Sequence, residues 1–120
     1  DMRRDFTYID DLVEGIVRLI DAVPGRQAAG SFDSLSPVAP WRVVNIGNGA
    51  PVQLMDFVAA IEAATGRVAQ KNMLPMQPGD VPATWADATL IEALTGALPR
   101  TDIGVGVQCF VDWYRDYYGV

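Results

Sequence analysis

The chain has 120 residues, of which 50% are apolar and 20% charged; that is a globular composition with length for one domain. A balance of 9 basic against 15 acidic residues, net −6, argues against nucleic acid or an anionic membrane as the main partner, since both select basic patches, while leaving room for one small anionic ligand held by an arginine or two. A single cysteine (Cys109) and no histidine exclude an intrachain disulfide and any Ser-His-Asp or Cys-His machinery, and argue against a structural zinc site.

In chain order, residues 3–9 hold aromatic and β-branched positions and predict a short strand. Ile9, Leu12, Val13, Ile16, Val17, Ile20 and Val23 follow helical spacing, with Asp10 and Asp11 in the first turn, where acids suit the helix dipole, and Pro24-Gly25 as the stop. Residues 25–40 are rich in Gly, Ala, Ser and Pro and predict a flexible loop. Residues 41–46, Trp-Arg-Val-Val-Asn-Ile, predict a strand, followed by a turn at Gly47-Asn48-Gly49. A second amphipathic helix runs from Leu54 to Ala64 and stops at Gly66. Residues 67–74 predict a third strand, and Pro75 to Pro82 a stiff loop. Asp87 can cap a short helix from Ala88 to about Leu94, and Thr101 or Asp102 a last helix with Ile103, Val107, Phe110, Val111, Tyr114 and Tyr118 on its apolar face. The pattern β-α-β-α-β-α-α is a mixed α/β piece. No repeat appears, no apolar run reaches the roughly 20 residues of a membrane span, and the cysteine-poor composition suits the cytoplasm. The opening, on a strand already entering a helix and with no leader, reads as a sequence entered partway.

Several kinds of chemistry have no residues to carry them. Gly47-Asn48-Gly49-Ala50-Pro51-Val52 matches only the first two glycines of G-x-G-x-x-G, with Val52 at the third and Pro51 lacking a donor, so a plain turn is the better reading. Lys71 is the only lysine, and Arg67 stands where a Tyr-x-x-x-Lys pair needs its tyrosine. The paired carboxylates Asp10-Asp11 read as a helix first turn. Two segments remain. In Met2-Arg3-Arg4-Asp5-Phe6 the adjacent arginines point to opposite faces of a strand; one can meet a phosphate through its planar fork while the other meets an acid such as Asp5, Asp10 or Asp11. In the loop from Leu74 to Asp87 the prolines and Gly79 can present Gln77, Asp80 and Thr84 to a ligand.

Arg4-Asp5-Phe6-Thr7-Tyr8-Ile9-Asp10-Asp11 resembles the Arg-Asp-aromatic signature of the extended short-chain dehydrogenase/reductases. Val43-Val44-Asn45-Ile46-Gly47 looks like a later strand of that family. Residues 76–87 are similar to the phosphate-side loop of its UDP-glucuronate 4-epimerase branch, and Phe110 to Arg115 to that branch's terminal helix. The resemblance covers nearly the whole chain. It implies a single C-terminal sugar-nucleotide-binding domain over residues 1–120, without the N-terminal Rossmann half that binds NAD and carries the Tyr-x-x-x-Lys pair. It places Arg4 on the UDP diphosphate and Asp80 near the ribose, with Phe6, Leu54 and Thr84 lining the nucleotide pocket; Gln77 stands where galactose-type epimerases have an arginine. It assigns no catalytic residue, cofactor or metal to the chain itself. A decarboxylase or dehydratase of the same family, or a non-catalytic scaffold domain, are the alternative readings. The expected partners are a UDP-sugar and the missing Rossmann domain. Residues 41–46 are expected at the edge of that domain's sheet with the first helix packed upon it, so that in isolation the exposed faces favour self-association.

Overall fold

The computed structural model describes residues 2–120; Asp1, the first residue of the expected domain, lies outside them. Its elements are β1 (Arg3–Arg4), α1 (Ile9–Asp21), β2 (Val52–Gln53), α2 (Leu54–Thr65), α3 (Thr89–Thr95) and α4 (Ile103–Tyr118). Helix and strand are mixed, as the sequence pattern predicts, but only β1 falls within a predicted strand, and β2 lies outside all of them. β1 pairs antiparallel with β2, Arg3 opposite Gln53 and Arg4 opposite Val52, and a parallel bridge joins Arg3 to Ala83.

Three expectations need correction. The first strand is a ladder only at Arg3–Arg4, because its partner is equally short and Asp5 leaves the ladder to bind backbone amides elsewhere. Residues 41–46 form no ladder among the described residues; the Val43 amide donates to Ser34 Oγ at 2.9 Å instead. Residues 67–74 are irregular, and the Ala69 amide donates to the side chain of Glu62 at 2.9 Å. A β-rich segment becomes a strand only when a neighbouring chain takes its amides and carbonyls.

The helices follow the sequence closely. Gly66 ends α2 in the left-handed region at φ 69° with its amide on the Glu62 carbonyl, a conformation that favours glycine. α3 begins at Thr89 with Ala88, not Asp87, at its cap position and no side-chain cap there, Asp87 accepting from the Thr89 amide at 2.9 Å from one residue further out, while Asp102 caps α4 by accepting from the Gly104 amide at 2.8 Å. α2 packs along α4, burying Ala64, Val107 and Val111, with Phe57, Ala60 and Ile103 against them. Arg115 donates to the Thr65 carbonyl at 3.0 Å and ties the far ends of the pair. Phe110, Tyr114 and Tyr118, expected on the buried face of α4, are instead exposed and touch one another and neighbouring rings along the helix.

α1 is turned the other way from an ordinary amphipathic helix. Its buried residues are Asp11 and Gly15, one turn apart. Around Gly15 a Cβ would stand 3.3 Å from Ile46, Ile91 and Leu98, so the missing side chain lets α1 close on α3 and on Ile91, which is 0% exposed. The apolar stripe points outward: Ile16 is 51% and Ile20 69% exposed. Such a stripe ordinarily faces a core. The molecule is correspondingly open, with a radius of gyration of 18.0 Å, where a compact chain of this length has about 14 Å.

Candidate functional site

β1 is the central piece. The Arg3 amide donates to the Pro82 carbonyl at 2.8 Å, the Thr84 amide to the Arg3 carbonyl at 3.3 Å, and the Leu54 amide to the Met2 carbonyl at 2.9 Å. Residues 2–4 are thereby held between the start of α2 and residues 82–84. This arrangement sets Arg4, Leu54 and Thr84 around one short strand. Arg4 is half-buried, and its Nη1 donates to the Arg3 carbonyl at 2.8 Å.

Phe6, two residues on, stacks on Phe57 with ring centroids 4.1 Å apart. It lines an apolar groove of about 920 Å³ between α2 and α4, together with Ile61, Val107, Phe110 and Tyr114. Gln77 and Asp80 take part in hydrogen bonds within their own loop. Gln77 Nε2 donates to the Pro75 carbonyl at 3.1 Å, and the Asp80 amide to the Gln77 carbonyl at 3.1 Å, closing a turn in which Gly79 has φ 94°. Both side chains are exposed on the loop that leads into Pro82.

The acids near the arginines do other work than expected. Asp5 Oδ2 accepts from the Gly49 amide at 3.0 Å and the Ala86 amide at 2.9 Å. Asp5 Oδ1 is buried without a hydrogen-bond partner. A Cβ on Gly47 would stand 2.5 Å from the Ala86 Cβ, so glycine there permits the two segments to close. Asp5, Asn45, Gly47, Thr84 and Ala86 share the walls of a small cavity of about 280 Å³. Asp11 is 8% exposed and accepts from both the amide and the hydroxyl of Thr101, at 2.7 and 2.9 Å. Spacing alone shows neither contact: the partners are 44, 81 and 90 residues away in sequence. The one local signal is that Gly47 and Ala86 are both small.

Next to Asp10 and Cys109, the Tyr8 hydroxyl is pushed above its ordinary pKa, by desolvation first and then by the Asp10 charge. Hydrogen bonding from Lys71, and then from the Ala69 amide, holds Glu62 below its usual value. The turn at residues 47–49 does not fit a dinucleotide: the Gly49 amide, which a pyrophosphate needs, is given to Asp5, Gly47 closes on Ala86, and β2 follows before any helix. Among the described residues no group of three His, Cys, Asp or Glu is placed to hold a metal, and no helix is long and apolar enough to cross a membrane.

No family model matches the chain. It is 54% identical over 121 residues to a probable UDP-glucuronate 4-epimerase of Rhizobium meliloti, covering 98% of this chain and 36% of that protein. It is 48% identical over 120 residues to Protein CapI of Staphylococcus aureus, covering 98% and 36% respectively. Among solved structures, the UDP-glucuronic acid 4-epimerase of Bacillus cereus in complex with UDP-glucuronic acid and NAD matches with a TM-score of 0.71 at 27% identity, over 98% of this chain and 33% of that one. The chain thus spans about a third of the length of the curated relatives it matches. The fold corresponds to the C-terminal part of a Rossmann-type epimerase of the extended short-chain dehydrogenase/reductase family. Within that class, the proteins it is similar to include UDP-glucuronate 4-epimerases.

Proposed function

We propose that this chain is the nucleotide-sugar-holding part of a cytoplasmic, NAD-dependent UDP-glucuronate 4-epimerase, and that it does not catalyse the reaction alone. The observation that supports this reading is the position of β1, which sets Arg4 beside Leu54 and Thr84 on three segments distant in sequence. Arg4 offers a planar fork to the diphosphate, and in a half-buried setting such charge-assisted bonds are stronger than at an open surface. Thr84 and Leu54 flank the nucleotide, and Phe6, fixed by its stack on Phe57, forms the apolar floor. Gln77 and Asp80 serve the diphosphate side and the ribose from the loop that leads into Pro82, whose carbonyl accepts from Arg3.

NAD, carried by the N-terminal half, supplies the hydride chemistry at C4 of the sugar. The residues of this chain hold the UDP end, so that binding energy remote from C4 restrains the sugar while it turns in the pocket. The similarity to Protein CapI suits a role in making capsular sugars.

The test is a full-length protein in which this chain replaces the matching segment of the Rhizobium meliloti relative. It should interconvert UDP-glucuronate and its C4 epimer. Arg4→Ala should weaken UDP binding by about tenfold or more, as loss of a charge-assisted pair implies. An unchanged UDP affinity in that variant would remove the proposed site.

A further inference from the structure

We infer that Asp5 is a positioning residue for the nucleotide-sugar site, acting through Ala86 and Gly49 and not by touching the ligand; the inference rests on the proposed function above. Three segments that the sequence keeps far apart meet at its one carboxylate oxygen: its own strand, the turn at residues 47–49 and residues 84–86. Thr84 lies two residues before the amide that Asp5 holds, and Arg4 is the residue before Asp5. One rigid acceptor therefore sets how Arg4 and Thr84 stand toward each other.

The arrangement costs stability, because Asp5 Oδ1 is buried without a partner and a desolvated, unpaired carboxylate oxygen is unfavourable. A packing role alone is met better by an apolar side chain. The approach of Gly47 to Ala86, too close for any Cβ, shows the same segments drawn together from the other side. The chemistry is a matter of placement. The carboxylate fixes two backbone amides, those amides fix Thr84 against β1, and the strand carries Arg4.

The experiment uses the full-length chimera with three variants, read by KM and kcat for UDP-glucuronate, by the Kd for UDP and by the Kd for NAD. Asp5→Ala should raise KM and the UDP Kd about tenfold, the order expected of a small misplacement of binding groups, with the NAD Kd unchanged. Asp5→Asn keeps one carbonyl oxygen able to accept both amides, and should stay within about threefold of the parent. Gly47→Ala keeps the Asp5 carboxylate, although its Cβ would stand 3.1 Å from Asp5 Oδ2 as well as 2.5 Å from the Ala86 Cβ, and, since Gly47 is not in the left-handed region, it needs no unusual backbone. Its Cβ should push residues 84–86 away and raise KM as Asp5→Ala does, which keeps the test decisive if Asp5→Ala fails to fold. A lowered melting temperature with unchanged KM and UDP Kd in the Ala variants overturns the inference, as does an Asn variant as impaired as the Ala variant. If Arg4→Ala weakens UDP binding and these variants do not, only the positioning role fails. If none of the four variants changes UDP affinity, the proposed site fails with it.

Discussion

The acid side chains of this chain act mainly on its own backbone. Asp11 holds the amide and hydroxyl of Thr101 from a nearly buried position. Asp11→Ala should therefore destabilise the fold by about 2–3 kcal/mol, the range for hydrogen bonds to a buried charged group, as measured by urea denaturation. A loss under about 0.5 kcal/mol would mean that water replaces the carboxylate there. Asp87 is held below its ordinary pKa by hydrogen bonding from Thr89, side chain first and backbone next. Its folded form thus binds protons less readily than the unfolded chain. The stability it contributes is present above the ordinary aspartate value, about 3.9, and is lost as pH falls through the lowered folded value. Asp87→Asn should flatten the acid limb of the melting temperature against pH by lowering its neutral end slightly, and leave the most acid end nearly unchanged. Asp102 was legible as a helix cap, and Asp87 as a residue close to a helix start though one position outside the cap, because their partners lie two residues away. The roles of Asp5 and Asp11 were not, because their partners are set by the tertiary fold.

At the scale of elements, helices were readable, and of the strands only β1 was, in part. α1, α2, α3 and α4 follow apolar spacing and their stop signals to within a few residues, because a helix satisfies its backbone within itself. The segments at residues 41–46 and 67–74 have strand composition, but a ladder needs a second chain segment, and sequence does not reveal whether one is present. Val52–Gln53 form a strand only because β1 lies against them. The outward apolar stripe of α1 carries a further prediction. The chain expressed alone should self-associate, with sedimentation that depends on concentration, and Ile16→Glu should return it to monomer. In the chimera, where the proposed Rossmann half covers that face, the same substitution should destabilise instead. A monomeric parent chain at high concentration would count against an adhesive α1.

For the whole molecule, the radius of gyration of 18.0 Å and extents of 53 × 37 × 20 Å describe a shape far from that of a self-sufficient domain. Ala64, Val107 and Val111 make one small cluster, and Ile91 lies in another contact region under α1. Ile91→Ala should cost about 2–5 kcal/mol, the range for emptying a buried aliphatic site. That is a large share of the stability of any small domain, and in the isolated chain it should abolish cooperative melting. The likeness to the C-terminal part of larger epimerases accounts for this thinness of core: the helix faces left open are extensive, and the buried clusters are small.

Asp11 and Thr101, 90 residues apart in sequence, also set a timetable. Translation proceeds at about 5–20 residues per second, so the helix carrying Asp11 leaves the ribosome on the order of ten seconds before its partner exists. Until then the Asp11 carboxylate, buried in the finished fold, stands in water. A nascent chain paused before residue 101 therefore carries α1 without the two hydrogen bonds under which Asp11 is buried.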